Sequence, residues 1–339
     1  SGGFSTEGMT QAQFALRQAF PRGRSLGTEQ MQARAEAFSR SADARRRDVL
    51  TMVRRAWLEV YFAQRALSVV NESRPFFDDL VTITRSMYGV GRKTQHDVLR
   101  AELELSRLDD RLIEASRARA EAQAALSRWL GQDAYRPIAQ KLPTWESVPM
   151  LEDLRDSLGS HPSLAAAQAS IDAKETAVDI AEENKKPEWA LDLAYGYRDG
   201  FQPDGTPRSD FVSLSVTVGL PFFGENRQDR KLSAALSEHR AARYSQHELS
   251  ARLKSELDAE YARWTDLTRR LALYETLILE QSKGQAQAAL LAYQSDTGDF
   301  SDVMRGHIDD LNTRLEHIRL QVERAQSYAM LANLGGLEQ

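Results

Sequence analysis

The chain has no cysteine, which removes disulfides, thiolate metal sites and cysteine nucleophiles at once. Proline and glycine are scarce, 10 and 19 in 339 residues. So few punctuators argue against a many-stranded β domain and favour long helices. Neither sign of charge dominates, with 44 Lys plus Arg against 49 Asp plus Glu and a net charge of −5. A nucleic-acid partner would call for a strong basic surplus. No run of 18 apolar residues occurs, so no transmembrane helix is expected. That test does not reach a transmembrane β-strand, whose only signature is a weak alternation. No signal peptide is visible, and the sequence opens on Ser-Gly-Gly without Met, as a mature or trimmed piece does.

Catalytic signatures are also missing. There is no Gly-rich phosphate loop, Gly-x-Ser-x-Gly elbow or His-Glu-x-x-His. Asp109-Asp110 and Asp309-Asp310 are adjacent on helical segments, where neighbours do not face one another, so they read as solvated. The Arg45-Arg46-Arg47 run reads as a solvated helix face. His96, His161, His239, His247, His307 and His317 show no paired ligand spacing. An enzyme is not expected, and neither a cofactor nor a resident metal is implied.

What is present is helix. Thr28 to Tyr88 contains no glycine and one proline, Pro75, and is rich in strong helix formers. Arg92 to Leu130 is equally clean and is closed by Gly131, a natural C-cap. Ser163 to Lys186, Glu225 to Lys283 and about Asp299 to Leu334 follow, the last ended by Gly335-Gly336. Leu99, Leu103, Leu105, Leu108, Leu112 and Ile113 form a narrow seam among charges, as in a coiled coil. On periodicity alone a soluble coiled coil explains this equally well.

Three segments alternate with period two. Trp189 to Tyr197 puts Trp189, Leu191, Leu193, Tyr195 and Tyr197 on one face. Phe211 to Leu220 does the same with Val212, Leu214, Val216, Val218 and Leu220. The polar loop Arg198 to Asp210 joins them as a long hairpin. Ala12 to Phe20 is weaker, because Gln18 falls on its apolar face. Such strands pack on a core in a soluble sandwich, or meet lipid in an outer membrane barrel. Three strands close no barrel, so any barrel must be shared between chains.

The chain also repeats itself. Tyr88 through Gly131 aligns with Tyr293 through Gly336 without a gap. Asp97-Val98 matches Asp302-Val303, Arg100 matches Arg305, and Leu126 matches Leu331. Phe20-Pro-Arg-Gly23 echoes Leu220-Pro-Phe-Phe-Gly224. The expected organisation is the end of a first-repeat β hairpin at 1–27 and a long helical hairpin at 28–131. A connector at 132–160 leads to a helix and β hairpin at 161–224, and a second long hairpin at 225–339 follows. By the symmetry of the repeat, a helix and a strand are expected ahead of Ser1. Without them, the β segments are expected to be disordered or mispaired.

His161-Pro-Ser-Leu-Ala-Ala-Ala-Gln168, Lys185-Lys-Pro-Glu-Trp189, the strand hairpin and Leu220-Pro-Phe-Phe-Gly224 form one ordered set. Together with the paired turns Asp97-Val-Leu-Arg-Ala101 and Asp302-Val-Met-Arg-Gly306, it resembles the TolC-type outer membrane efflux proteins. The resemblance implies a mainly α chain with a few β-strands. Its homotrimer forms a β-barrel in outer membrane lipid and a long periplasmic α-barrel, with Trp145 and Pro137 to Ser160 in an equatorial girdle. It also implies a passive conduit that docks a periplasmic adaptor (membrane fusion) protein coupled to an inner-membrane pump, RND-type. Within the family, gate residues match Tyr293, Asp97 and Asp302, and a tyrosine-to-aspartate bond would join Tyr293 to Asp97. An arginine of the family's closed network corresponds to Gly298, and Arg305 stands where a second aspartate of the constriction would be. A carboxylate ring in a narrow pore favours cations, and Arg305 would offset that preference. From the residues themselves, Asp97 and Asp302 read as helix caps. The adaptor would meet the turns around Gly89, Val90, Gly91, Asp97, Val98, Gly298, Phe300 and Val303. The Phe20-Pro-Arg-Gly23 ending looks most like the heavy-metal (CzcC- or CusC-type) branch, with drug or small-molecule efflux as the alternative cargo.

Overall fold

A computed structural model describes residues 11–20, 24–139, 141–143, 147–202, 204–220 and 227–337. The elements run β1 (Gln11–Phe20), α1 (Arg24–Gly89), α2 (Gln95–Leu130), α3 (Leu151–Leu158) and α4 (Pro162–Glu183). They continue with β2 (Glu188–Arg198), β3 (Phe211–Gly219), α5 (Gln228–Leu273), a π-turn (Tyr274–Ile278), α6 (Leu279–Gln294) and α7 (Phe300–Gly335). The chain divides into two units, Ser1–Ala42 with Pro162–Ser250 and Asp43–His161 with Ala251–Gln339. Among the described residues no helix is long and apolar enough to cross a membrane.

The first unit is built on one antiparallel sheet in the order β1-β2-β3. The described strands are therefore regularly paired, contrary to the expectation of disorder or mispairing. The register explains why. Phe14, Tyr195 and Val212 form one row, Leu16, Leu193 and Leu214 the next, and Phe20, Trp189 and Val218 the last. Gln18 falls in the row of Leu191 and Val216, so a single polar residue is carried by its apolar neighbours. Slipping any strand by one residue would turn its whole apolar set to the opposite face. On that opposite face Asp192 ties the strands together. It accepts from Thr217 Oγ1 at 3.2 Å and lies 3.5 Å from Arg17. The Phe211 ring lies over Gly196, and a Cβ there would fall 2.1 Å from it, so a larger residue would displace the ring. Below the sheet, Lys174–Glu238 and Lys185–Asp229 ion pairs of 2.5 and 2.6 Å link α4 to α5.

The second unit is helical. Its main core is drawn from four helices, with Leu80 from α1, Leu108 from α2, Tyr293 from α6, and Val303 and Leu311 from α7. Helices α1 and α7 contribute equally to it, and beyond it α7 also buries Leu320, Val322 and Leu331 completely. Arg319 of α7 lies 3.5 Å from the Phe62 ring centre and bonds both oxygens of Glu59 at 3.2 Å, locking α7 to α1. Gly306 lets α6 approach α7 closely, since a Cβ there would lie 3.1 Å from the Ala286 Cα. Pro75 is accommodated inside α1 where the helix surface is exposed. The carbonyl it leaves without a backbone donor belongs to Asn71, an exposed residue.

The connector holds more structure than 132–160 suggested. A 3₁₀ turn covers Gly131–Tyr135, and α3 lays Leu154 and Leu158 against the second unit's core. Arg155 grips Asp258 with two bonds of 2.9 Å, and Ser157 Oγ donates to the Gly335 carbonyl at 2.8 Å. Trp145, Pro21 to Gly23 and Pro221 to Gly224 lie outside the described residues. Gly284 does not end a helix as its position suggested and sits inside α6. The duplication is visible in the element ends. Helices α2 and α7 are both 36 residues long, and each ends at a glycine with positive φ, Gly131 (56°) and Gly336 (67°).

Candidate gate and docking turns

Two turns, one from each helical hairpin, meet in the second unit. The first closes α1 onto α2. Gly91 takes φ of 73°, in the left-handed region, and its N–H donates to the Tyr88 carbonyl at 2.9 Å. Thr94 then caps α2. Its hydroxyl oxygen accepts from the Asp97 N–H at 3.3 Å, while the Asp97 carboxylate accepts from the Thr94 N–H at 3.0 Å. This is a capping box, with Asp97 three residues inside the helix rather than at its cap. Asp302 is likewise not the cap of α7. That position belongs to Asp299, whose side chain makes no capping bond.

The second turn joins α6 to α7. Its N–H groups fold back onto the end of α6, from Thr297 and Gly298 to the Ala292 carbonyl at 2.9 and 3.0 Å. Asp296 adopts φ of 62°, a rare conformation for a residue with a side chain. Gly298 has no room for more than hydrogen, as a Cβ would lie 2.9 Å from Ala292 Cβ and 3.2 Å from Tyr293 N. The arginine that the resemblance would place at this position does not fit the turn as it is folded here.

Tyr293 and Asp97 are not bonded to each other. The Tyr293 side chain is fully buried, and its hydroxyl lies 3.4 Å from Thr84 Oγ1. Thr84 spends its own proton on the Leu80 carbonyl at 2.8 Å, so Tyr293 is the donor to Thr84. Asp97 is occupied by Thr94. Burial works to raise the Asp97 pKa, but the Thr94 N–H and hydroxyl, with the charges of Lys93 and His96, bring it below the usual value. Arg305 lies 3.8 Å from Asp302, and both side chains are exposed.

The docking set divides. Gly89, Val90 and Gly91 are exposed, Val90 at 73 %. Asp97 and Gly298 are half-buried, while Val98, Phe300 and Val303 are turned into the core and hold the turns in place. Three cross-hairpin contacts escaped sequence reasoning. Arg100 donates to Ser301 Oγ at 2.7 Å, and Arg111 to Asn312 Oδ1 at 3.4 Å. Lys93 Nζ lies 4.5 Å above the Tyr293 ring and 3.4 Å from Asp296. No sequence signal marks these, because each pairs residues about 200 positions apart.

The remaining surface feature is the sheet. Phe14, Leu16, Leu193, Tyr195, Val212, Leu214, Val216 and Val218 are all at least 44 % exposed on one face. Phe20 and Trp189 stack at 4.1 Å at one end of that face, and Tyr195 and Tyr197 stand at the other. A ten-residue strand with aromatic ends and small residues behind is the pattern of a membrane barrel wall.

Long helical hairpins and such a sheet are the parts of an outer membrane efflux channel. The chain belongs to the outer membrane efflux protein family, whose model matches residues 154–337, more than half of it. It is 27% identical to Protein CyaE of Bordetella pertussis over 329 residues, covering 93% of this chain and 68% of the relative. Among solved structures it is similar in fold to the outer membrane protein VceC from Vibrio cholerae, with a TM-score of 0.80 at 18% identity. That match covers 96% of this chain and 86% of VceC. CusC, described for its folding and transmembrane channel formation, gives a TM-score of 0.84 at 16% identity over 98% of this chain and 80% of its own.

Proposed function

We propose that this chain is one protomer of a homotrimeric outer membrane duct of a tripartite efflux system. Its β-strands join those of two other copies in a shared barrel, and its helical hairpins reach into the periplasm. There it docks a periplasmic adaptor protein coupled to an RND-type inner-membrane pump, and cargo passes without reaction. The observation that carries this is the uncovered apolar face of the sheet. In water an exposed apolar face of this extent is a liability, whereas lipid removes the cost. The two outer strands, β1 and β3, each also have one edge unpaired within the described sheet. Edges in a bilayer must be closed by further strands.

The turns are the gate and the docking end in this reading. Tyr293, Asp97, Asp302 and Arg305 stand at the constriction, and exposed Gly89, Val90 and Gly91 offer the adaptor a close backbone approach. Heavy-metal cations are the cargo supported by the Phe20-Pro-Arg-Gly23 strand ending. The test of the whole reading is the mass of the purified assembly by light scattering, with and without detergent. A trimer that needs detergent is expected. A monomer or dimer that stays in solution without detergent would overturn the duct in favour of a soluble periplasmic coiled-coil protein. Export-deficient cells that express the chain with its pump and adaptor should regain tolerance to metal salts. Regained tolerance to drugs alone would reassign the cargo.

A further inference from the structure

We propose that a cavity at the helix end of the sheet binds the phosphodiester headgroup of an anionic phospholipid. This rests on the duct reading above, which sets the apolar face of the sheet in lipid. The cavity has a volume of about 370 Å³, within the range of small-molecule sites. Asn184 and Lys186 line it from the link between α4 and β2, and Glu188 from the start of β2. Arg227, Gln228 and Lys231 line it from the start of α5. Its wall therefore carries three cations against one carboxylate.

The strand register sets the depth of this cavity. Phe20, Trp189 and Val218 make the last row of the apolar face, and the Phe20 and Trp189 rings stack at 4.1 Å. Glu188 pairs with Gly219 in the next row, and both line the cavity. One residue of strand advances only about 3.4 Å. The cavity thus begins where the aromatic row ends. In a membrane wall such rings mark the level at which hydrocarbon gives way to headgroups. A cationic cavity one step beyond them lies at the depth of the phosphates. Arginine and lysine suit that border, since an apolar stem can stay with hydrocarbon while the charge reaches the headgroups.

The neighbouring lysines are already matched. Lys185 pairs with Asp229 at 2.6 Å, and Lys186 pairs with Glu183. Arg227 and Lys231 are exposed, and neither is ion-paired with a described residue. They are the cations left for a ligand, and a phosphodiester has one negative charge and acceptor oxygens for both. Gln228 adds a second kind of contact. Its Oε1 is buried and has no hydrogen-bond partner among the described residues. The hydroxyl of a glycerol headgroup would donate to it. Inorganic phosphate offers the same anion, but the apolar face beside the cavity favours a phosphate carried on acyl chains.

The test uses the full chain, purified in detergent, and reads its thermal midpoint as lipid is added. Dioleoyl-phosphatidylglycerol is expected to raise the midpoint, whereas dioleoyl-phosphatidylcholine and inorganic phosphate are not. Arg227→Gln combined with Lys231→Gln should raise the half-saturating concentration of phosphatidylglycerol about tenfold and leave the lipid-free midpoint unchanged. Arg227→Lys combined with Lys231→Arg keeps both charges and should bind as the parent does. Arg45→Gln combined with Arg46→Gln, an exposed pair on α1, should also bind as the parent does.

An equal rise with phosphatidylcholine or with inorganic phosphate would overturn the headgroup site. So would an equal loss in the Arg45 and Arg46 variant, which would mean diffuse attraction to charge rather than a built cavity. A trimer that needs detergent but ignores phosphatidylglycerol loses the site and keeps the duct. A chain that stays in solution without detergent removes the duct, and the lipid site with it.

Discussion

His307 lies on α7 with its ring stacked on Phe76, the centroids 3.5 Å apart. Burial pushes its pKa down to about 4, so the ring is neutral near pH 7. A folded pKa below the unfolded value means that the unfolded chain takes the proton first. Stability is then fully present above about pH 6.5 and is lost as the pH falls through that value toward 4. The loss should reach about 2 kcal/mol, allowing for partial exposure of the ring. Thermal midpoints between pH 4 and 7 should flatten in His307→Phe, which keeps the stacking. At the first turn, Thr94→Ala removes the cap of α2 and should cost about 1 kcal/mol, read as a lower thermal midpoint. The Asp97 half of the same box is depressed in pKa, so its contribution is present above the ordinary aspartate range and fades as the pH drops through the folded value. This box was legible in advance, because Thr94-Gln-His-Asp97 has the spacing of a capping box, though the reading there stopped at a cap. The Lys93 contact was not legible, since nothing local in Gly91-Arg-Lys93 says that Tyr293 will stand opposite.

Among elements, the strands were the most readable, because alternation of period two survives a single polar intruder. Gln18 weakened the β1 assignment only when that strand was taken alone, and the pairing with Leu191 and Val216 restores it. The two faces should respond oppositely to charge. Leu214→Arg, in the middle row of the apolar face, should cost about 2–4 kcal/mol in a bilayer and abolish recovery with vesicles in flotation. Ser215→Arg on the other face should float as the parent does. Helix α3 escaped notice because eight residues give too little periodicity to see. Its stability comes from burial of Leu154 and Leu158, the first of them against Gly335 at the end of α7, which only the fold supplies. Gly284 was misjudged for the complementary reason, that a glycine inside a helix costs only about 1 kcal/mol and a long helix bears it. Gly306 carries the opposite lesson, with Ala286 against it. Gly306→Val should overpack the α6–α7 crossing by about 1–3 kcal/mol and lower the thermal midpoint accordingly.

For the molecule as a whole, the repeat in the sequence became two copies of one helical device that have since diverged. Tyr88 and Tyr293 occupy matched positions, yet Tyr88 is 47 % exposed and Tyr293 fully buried. Sequence symmetry announced the duplication but not which copy would supply the core. The family was readable from ordered motifs, while the state of the turns needed the coordinates, because it depends on contacts between the copies. Consider next the equal lengths of α2 and α7, 36 residues each. Removing seven residues from each arm of one hairpin would retract its turn by about 10 Å and leave Lys93 without a counterpart. The same excision made in both hairpins would carry the two turns back together. Length in this chain is therefore a heritable trait of the pair, and insertions or deletions that endure must arrive as twins.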